Sequence, residues 1–450
     1  MGKQAVLLIH GIGNQRPMQT LRAFVRAAWT THNSIHTEYA GGQIWSKPDD
    51  ISDTYELRKL TTPENVNGIR TDFYEFYWQH LLQGTKINHV VGWAKTLLLR
   101  SPGSVPPGLV LAYWTLWLLI IVGLGLTLYF SLIPKETTVS TWWTVAKIVG
   151  GFSLLPIASF ILTEIVGDAA RYLHPDPANI QCRHKIRSLG VLLIKELHNR
   201  NYDRIILVGH SLGSIIGYDV LTHSWPHFNI PTQAKGAASS ALTELEALAV
   251  SIGRGHKDQD VQRKQRAYFN ELKEVGGSWR VTDFITLGSP LAHAAILMAQ
   301  ELSELQQKQK DREYPTCLPT LETFEKAAGL SEQHFTYGPQ PDKTNKYHLP
   351  IPHHAAVFGP TRWSNLFFPC RLLIFGDLIG GPLREVFGLS IRDIPVSTSD
   401  NFGFLTHTKY WNIKDDLQPS NSVLELRTVL DLPDNENQKE SEKETFKQGA

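Results

Sequence analysis

Four short, mostly apolar runs predict the strands of a buried sheet. They lie at residues 5–9, 204–208, 284–287 and 372–375. None of them alternates strictly between polar and apolar positions, and short runs without alternation are typical of strands that are buried on both faces. Such strands occur mainly in parallel sheets that helices cover on both sides. The pattern therefore predicts an α/β fold.

Apolar residues at helical spacing predict helices between these strands. Asp176 and Pro177 supply an N-cap and a proline at the first helical position, and the helix that they begin is expected to end near residue 199. Its apolar positions are Ile180, Ile186, Leu189, Leu193 and Leu197. A second helix is predicted over residues 214–221, directly after the second strand. Strands that alternate with helices indicate a mainly parallel sheet with helices on both faces.

Two longer apolar segments predict an inserted membrane hairpin. The 34 residues between Arg100 and Lys135 carry no formal charge, and residues 108–133 are nearly all apolar. About 20 apolar residues suffice for a helix to cross the hydrocarbon core of a bilayer. A second apolar segment covers residues 145–166, with Pro156 inside it. The alternative is a buried helical hairpin within a soluble lid.

The charges beside these segments predict their orientation. The connecting loop holds only Lys135, whereas basic residues precede the first segment and follow the second. These are Lys95, Arg100, Arg171, Arg183, Lys185 and Arg187. Basic residues are enriched on the cytoplasmic side of membrane helices. We therefore expect a membrane protein, in the inner or plasma membrane, whose main domain faces the cytoplasm.

The same patterns predict how the chain is divided. One α/β domain is expected to be interrupted by the hairpin and followed by a polar tail that is disordered, since Asn, Glu, Lys and Gln dominate it. The predicted parts are 1–100 (first part of the domain), 101–170 (hairpin), 171–432 (remainder) and 433–450 (tail). Two polar stretches within the remainder are predicted to be lid-like insertions, near residues 231–275 and 299–345.

Composition excludes several classes of protein. Lys and Arg number 44 and Asp and Glu 43, a formal net charge of +1, which argues against a nucleic-acid partner. The three cysteines, Cys182, Cys317 and Cys370, form no C-x-x-C pair, so neither a disulfide scaffold nor a cysteine-based zinc site is expected. We expect no metal and no cofactor.

The motif Gly209-His210-Ser211-Leu212-Gly213 lies between a predicted strand and a predicted helix. In this context the G-x-S-x-G pattern indicates a nucleophile elbow, in which the serine occupies a strained turn and its hydroxyl group is exposed above the sheet. The flanking glycines allow the close backbone approach that such a turn needs. The motif predicts Ser211 as a nucleophile and His210 as a structural residue buried beneath it. The alternative is an ordinary glycine-rich turn.

A second glycine-containing turn follows the first predicted strand, at His10-Gly11-Ile12-Gly13. A serine nucleophile needs donors for the negative charge that develops on the substrate oxygen, and each such donor contributes about 3–4 kcal/mol to transition-state stabilisation. The backbone amides of Ile12 and Leu212 are the predicted oxyanion hole. The alternative is a tight turn that binds nothing.

The base that activates the serine is expected late in the chain, because proteins with this elbow order their triad Ser, Asp or Glu, His. His407 follows an apolar segment and is the last of the 18 histidines, so it is the preferred candidate. His353 and His354 are the rivals. Their neighbours, Pro352 and two alanines, are more typical of a packed loop.

The acid that orients the base is expected at the end of a strand. Asp377 follows the predicted strand at 372–375 and is the preferred candidate. Asp393 is the alternative, and its neighbour Arg392 suggests that it forms an ordinary salt bridge instead. Asp283 precedes its predicted strand and would lie at the wrong end of the sheet.

Together these residues resemble the α/β-hydrolase superfamily, in particular bacterial lipase- and esterase-like members and, more distantly, inositol-deacylase-like lipid esterases of membranes. The resemblance covers residues 5–100 and 172–415 but not the apolar hairpin. Besides the elbow, it is carried by the segments His10-Gly11-Ile12-Gly13-Asn14-Gln15, Thr286-Leu287-Gly288-Ser289-Pro290-Leu291, Arg362-Trp363-Ser364-Asn365, Gly376-Asp377 and His407-Thr408-Lys409-Tyr410-Trp411.

The resemblance implies an α/β-hydrolase fold and a membrane-anchored serine hydrolase without a cofactor. Such an enzyme cleaves carboxylic esters of apolar or lipid substrates through an acyl-enzyme, with Ser211, His407 and Asp377 as its triad. The same triad also fits a thioesterase, an amidase or an acyltransferase, because specificity depends on the pocket. A further alternative is a non-catalytic, membrane-anchored interaction module that keeps the hydrolase scaffold.

Overall fold

A computed structural model describes most of the α/β portion of the chain. The described ranges are 2–12, 16–52, 54–82, 177–229, 240–252, 258–299, 301–325, 331–337, 351–370, 376–377, 379–398, 404–413 and 418–435, with a few isolated positions between 102 and 172. The predicted hairpin at 101–170 lies outside these ranges except for some of those positions. Among the helices that the described ranges contain, none combines the length and the apolar composition needed to cross a bilayer.

Ten strands are present in the described ranges. They are β1 (Gly2–Ile9), β2 (Trp45–Pro48), β3 (Arg58–Glu64), β4 (Ile69–Phe76), β5 (Arg204–His210), β6 (Val281–Leu287), β7 (Glu322–Glu325), β8 (Ser331–His334), β9 (Arg362–Phe367) and β10 (Arg392–Pro395). Eight form one sheet in the order β10-β9-β6-β5-β1-β4-β3-β2, and β7 and β8 pair separately.

The large sheet is mainly parallel, as predicted. The strands from β10 across to β4 pair in parallel, whereas β3 and β2 extend the far edge in antiparallel fashion. The predicted strands at 5–9, 204–208 and 284–287 lie within β1, β5 and β6. The predicted strand at 372–375 lies outside the described residues.

Nine α-helices flank or connect the strands of the described ranges. They are α1 (Gln19–Val25), α2 (Pro177–Asn199), α3 (Leu212–Phe228), α4 (Ser240–Ser251), α5 (Asp258–Glu274), α6 (Ala294–Leu297), α7 (Leu302–Lys310), α8 (Arg384–Phe387) and α9 (Asn421–Leu430). Two predicted helices are confirmed: α2 begins at Pro177 and ends at Asn199, and α3 contains residues 214–221.

Both faces of the sheet are covered because the side chains of each buried strand alternate between two apolar clusters. One cluster joins Leu7 and Ile9 of β1 to α2 and α3, through residues such as Ile194 and Ile215. The other joins Val6 and Leu8 to α1 and α9, and includes Phe24 and Leu426. Helices on both faces explain why the central strands are apolar throughout.

The strand register brings the carboxyl ends of four parallel strands to one level. Ile9 of β1 lies beside Gly209 of β5, Gly209 lies beside Thr286 of β6, and Thr286 lies beside Asn365 of β9. The loops that follow these strands therefore meet at one edge of the sheet, which is where open α/β sheets bind their ligands.

The polar stretches predicted as lid-like insertions contain regular structure. Residues 231–275 include α4 and α5, and α5 packs against the body of the protein. Gln262 Nε2 of α5 donates a hydrogen bond to Ser364 Oγ (3.0 Å), and Gln265 Nε2 donates one to the carbonyl oxygen of Phe358 (2.7 Å). Residues 299–345 include α7 and the β7–β8 hairpin.

The structure describes the first three residues of the segment that is predicted to be a disordered tail. Pro433 to Asn435 lie within the described ranges, and Asp434 forms an ion pair with the buried guanidinium of Arg266 (2.7 Å). Residues 436–450 lie outside the described residues.

Candidate functional site

Ser211 occupies the junction between β5 and α3 in a backbone conformation that favours glycine, with φ 54° and ψ −129°. A side chain in this region costs about 1–3 kcal/mol, and strain of this kind clusters at functional sites. The flanking glycines make the turn possible. A Cβ atom on Gly209 would lie 2.6 Å from Ser214 Cα, and one on Gly213 would lie 2.2 Å from the carbonyl oxygen of Ile9.

Hydrogen bonds hold the strained turn in place. The Ser211 amide donates to the carbonyl oxygen of Leu287 (2.9 Å), which ties the turn to the end of β6. Ser214 Oγ donates to the Ser211 carbonyl oxygen (2.6 Å) and lies 2.7 Å from Ser289 Oγ. Because a hydroxyl group has one proton, Ser289 is the donor in its contact with Ser214. The two serines thus link the elbow to the loop after β6.

Asp377 and His407 form a buried pair. Asp377 Oδ2 accepts a hydrogen bond from His407 Nδ1 (2.8 Å), and Asp377 Oδ1 accepts one from the Ile379 amide (2.9 Å). Burial alone would raise the pKa of the Asp377 carboxyl, but His407, the Gly380 amide and Tyr410 outweigh it and hold that pKa below its usual range. The carboxylate is therefore ionised at neutral pH.

The pairing with Asp377 fixes which nitrogen of His407 is available for chemistry. Nδ1 carries the proton that Asp377 accepts, so Nε2 holds the lone pair. Within the described ranges this buried Nε2 has no hydrogen-bond partner. An unoccupied basic nitrogen on an imidazole oriented by a carboxylate is the arrangement that a general base requires.

Several contacts bring His407 to the elbow. His210 Nε2 donates to the carbonyl oxygen of His407 (2.8 Å), and the two imidazole rings are 5.0 Å apart. Burial, together with the nearby His407, lowers the pKa of His210 to about 3, so His210 stays neutral. His210 is buried directly before Ser211 in the chain, and its ring is bonded to the backbone of His407.

The turn after β1 lies directly against the serine. A Cβ atom on Gly11 would lie 2.7 Å from Ser211 Cβ, so this position tolerates no side chain without movement. Ile12 is half-buried beside it, whereas Gly13 lies outside the described residues.

His10 sets the orientation of this turn. Its pKa is lowered to about 4 by burial, and its neutral ring donates from Nδ1 to the carbonyl oxygen of Gly11 (2.8 Å). The ring stacks on Trp78 at 5.2 Å. Because C=O and N–H point in opposite directions in a trans peptide, the Ile12 amide points away from His10. Leu212 is the first residue of α3, so its amide has no acceptor within the helix.

The rival candidates have other partners. His353 Nε2 donates to the carbonyl oxygen of Thr320 (3.0 Å), which is the packed-loop role that the sequence suggested. Asp393 accepts from Asn365 Nδ2 (2.7 Å) and from the amides of Leu383 and Arg384 (2.9 Å each). The salt bridge with Arg392 that we expected for Asp393 does not occur among the described residues, because backbone donors occupy its oxygens.

Asp283 lies inside β6 rather than before it, which corrects the sequence analysis. Its carboxylate binds the buried guanidinium groups of Arg204 (2.8 Å) and Arg362 (2.7 Å). These contacts join the amino-terminal parts of three neighbouring strands, β5, β6 and β9. Asp283 is therefore a structural residue remote from the elbow.

Sequence reasoning missed two residues that contact the Asp377–His407 pair. Tyr410 Oη donates to Asp377 Oδ2 (2.8 Å), and a Cβ atom on Gly288 would lie 2.8 Å from the same oxygen. Tyr410 follows His407 by three residues, just after the short 3₁₀ helix Phe404–Thr408 ends. Gly288 directly follows β6 at the carboxyl edge of the sheet. These positions of Tyr410 and Gly288 in the chain were the sequence features that could have pointed to the two residues.

No cluster of three or more His, Cys, Asp or Glu side chains that could hold a metal ion exists among the described residues. The donors around the site are instead hydroxyl groups, imidazoles and backbone amides.

Fold and site together define an α/β protein with a strained serine and a buried Asp–His pair at the carboxyl edge of a mainly parallel sheet. Comparison with known proteins finds no significant match to the chain among protein-family models, curated proteins or solved structures.

Proposed function

We propose that the protein is a serine hydrolase of the α/β-hydrolase type that cleaves carboxylic esters of apolar or lipid substrates. The observation that carries the proposal is the strained elbow at Ser211 together with His407. The carbonyl oxygen of His407 accepts a hydrogen bond from His210 of the elbow (2.8 Å), its Nδ1 is held by Asp377 (2.8 Å), and its Nε2 has no partner among the described residues. Strained serine, oriented base and buried acid are the three parts of a nucleophilic triad.

Each residue has a defined role in the proposed reaction. His407 Nε2 removes the proton of Ser211 Oγ while that oxygen attacks the ester carbonyl carbon. The carbonyl oxygen becomes negatively charged and accepts hydrogen bonds from the amides of Ile12 and Leu212. Collapse of this intermediate breaks the bond to the alcohol oxygen, which takes the proton from His407. Water then attacks the acyl-enzyme with the same proton transfers, which releases the acid and restores Ser211.

Asp377 acts through His407 rather than on the substrate. Its carboxylate keeps the proton on Nδ1 and stabilises the imidazolium that forms when Nε2 takes the serine proton. The lowered pKa of Asp377 keeps this carboxylate charged over the neutral pH range.

The apolar or lipid substrate and the membrane location are supported by the sequence. The nearly continuous apolar segment at 108–133 is long enough to cross a bilayer, and the basic residues that flank the predicted hairpin favour a cytoplasmic catalytic domain. A hairpin inserted into the hydrolase domain would hold the triad close to membrane lipids. A panel of aryl esters, acyl thioesters and amides would rank the esterase against the thioesterase and amidase alternatives.

Labelling by a fluorophosphonate probe tests the nucleophile. The full-length protein in membranes is expected to be labelled, and Ser211→Ala should reduce labelling at least a thousand-fold because the attacking oxygen is removed. Ser251→Ala is the matched control, since this exposed serine at the end of α4 bonds only locally, to the carbonyl oxygen of Leu248 (3.2 Å). Wild-type protein that resists the probe, or full labelling of Ser211→Ala, would refute the proposal.

A further inference from the structure

The phenol of Tyr410 bonds to the same oxygen that receives the catalytic imidazole. Tyr410 Oη and His407 Nδ1 each lie 2.8 Å from Asp377 Oδ2, whereas Oδ1 accepts the Ile379 amide (2.9 Å). The carboxylate is thus held by donors on both oxygens, and the Gly380 amide adds a further hydrogen bond to it. Tyr410 is fully buried, so water does not compete for this hydrogen bond.

The backbone after β9 fixes the direction of the phenol proton. The Phe368 amide donates to Tyr410 Oη (3.3 Å), so that oxygen acts as acceptor there and its single proton is free for Asp377. The Phe368 carbonyl oxygen in turn accepts the Asp377 amide (3.3 Å). The aromatic rings of Phe368 and Tyr410 also pack together, with centroids 4.6 Å apart. One residue therefore ties the acid and the tyrosine to the end of the same strand.

We propose that Tyr410 is a positioning residue of the triad: its hydroxyl group fixes the rotamer of Asp377 so that Oδ2 faces His407 Nδ1, and it moderates the charge on that oxygen. The inference rests on the proposed function, because it assigns a fourth residue to the same site. Hydrogen bonds from a neutral donor to a charged acceptor are stronger than those between neutral groups, so this contact is able to hold the carboxylate in place.

The titratable groups that face the pair are few among the described residues. His210 lies against His407 with ring centroids 5.0 Å apart and stays neutral, since burial lowers its pKa to about 3. On the acid side, the charge of Asp377 adds to burial in raising the pKa of the Cys370 thiol, so this thiol is also neutral near pH 7. The charge that His407 experiences from its neighbours is therefore that of Asp377, as modified by Tyr410.

Replacement Tyr410→Phe removes the hydroxyl group and keeps the ring. The expected result is a fall of about ten-fold in kcat per active site with KM changed less than two-fold, because the base is less well oriented while the substrate pocket is unaltered. Active sites are counted by titration with the fluorophosphonate probe, so protein that fails to fold does not enter kcat. The proton NMR signal of His407 Nδ1–H should also move downfield, because Oδ2 has then lost the phenol donor and accepts the imidazole hydrogen bond more strongly.

Tyr202→Phe is the matched control. Tyr202 Oη donates to Asp72 Oδ2 (2.6 Å) and accepts from Tyr74 Oη (2.8 Å), so it is also a buried phenol between a carboxylate and a donor. It precedes β5 and therefore lies at the amino edge of the sheet, away from the elbow. Tyr202→Phe should lower stability without changing kcat per active site or the proton NMR signal of His407 Nδ1–H.

The two hypotheses fail in different ways. Full-length variants are compared by ester turnover and by the proton NMR signal of His407 Nδ1–H, which is identified by its absence from His407→Gln. Wild-type kcat per site in Tyr410→Phe, or a His407 signal that is unchanged or moved upfield, would overturn the role of Tyr410 while leaving the hydrolase intact. A wild-type protein inert to the probe would refute the hydrolase, and the NMR signal would still decide whether Tyr410 positions Asp377 against His407.

Discussion

At the scale of single residues, the candidate site depends on close approaches that leave no room for side chains. Gly288 shows this most clearly, because its backbone has φ 57° and touches the Asp377–His407 pair. A Cβ atom there would lie 2.8 Å from Asp377 Oδ2, 2.8 Å from Tyr410 Cε2 and 3.0 Å from His407 Cε1. Gly288 has no reactive group, but the absence of a side chain there allows Asp377, His407 and Tyr410 to contact one another.

Replacement Gly288→Ala should therefore disrupt the site beyond its effect on the backbone. The left-handed conformation alone costs an alanine about 1 kcal/mol, and the clash with the pair adds to that cost. Gly68→Ala isolates the backbone effect, since Gly68 has φ 71° and open space around it. Urea unfolding and the rate of probe labelling should show both variants destabilised but only Gly288→Ala slow to label. Equal labelling rates would contradict this account.

Single residues also show what the sequence could and could not provide. Asp377 and His407 were preferred from strand-end placement and chain order, and the structure puts them in direct contact. Tyr410 lies in the segment His407-Thr408-Lys409-Tyr410-Trp411, but the sequence assigns it no role. Nothing in a sequence indicates which of the chain's tyrosines will meet a particular carboxylate oxygen, because that contact is made by tertiary packing.

At the scale of elements, apolar strands were predicted and polar ones were not. β1, β5 and β6 contain continuous apolar runs, whereas β9 carries Arg362, Ser364 and Asn365 in its six residues and was recognised only as a motif. All three polar residues of β9 are buried, and partners on neighbouring elements bind them. A polar strand of this kind is stable only because those partners exist, and hydrophobic patterning does not reveal them.

The ion pairs that join β5, β6 and β9 predict a specific weakness. Asp283→Asn should lower the free energy of unfolding by about 3 kcal/mol, because Arg204 and Arg362 would keep their buried charges without this partner. Asp260→Asn is the control. Its partner Arg263 is exposed on α5, so this substitution should cost less than about 1 kcal/mol.

The ion pairs of Asp283 also make the stability of the fold depend on pH. Burial alone would raise the pKa of the Asp283 carboxyl, but the neighbouring arginines outweigh it and hold that pKa below its usual range. The folded protein therefore binds a proton at Asp283 less readily than the unfolded chain does. The stabilisation is therefore complete above about pH 4, the ordinary range of an aspartate, and declines as the pH falls further. Urea unfolding between pH 3 and pH 7 should show a smaller pH effect in Asp283→Asn than in the wild type.

At the scale of the whole molecule, the segment after α9 joins parts of the chain that are far apart in sequence. The Leu432 carbonyl oxygen accepts hydrogen bonds from Gln4 Nε2 (2.8 Å) and Asn65 Nδ2 (2.9 Å). Arg204 donates to the carbonyl oxygens of Leu430 (3.0 Å) and Asp431 (2.8 Å). The residues directly before the predicted tail thus link β1, β5 and the turn before β4.

Truncation tests this linkage. A chain that ends after Asn435 keeps every contact just described and serves as the reference. A chain that ends after Asp431 loses the acceptor of Gln4 and Asn65 and the ion pairs of Asp434, and should be less stable by several kcal/mol. Equal melting temperatures for the two truncated chains would show that the segment does not support the fold.

The order of the site residues along the chain has a consequence for biosynthesis. The serine comes from β5, the carboxylate follows β9 and the imidazole follows β10, so no fragment that leaves the ribosome early holds all three. In the proposed hydrolase, the nascent polypeptide therefore has no means of attacking an ester until His407 has been synthesised.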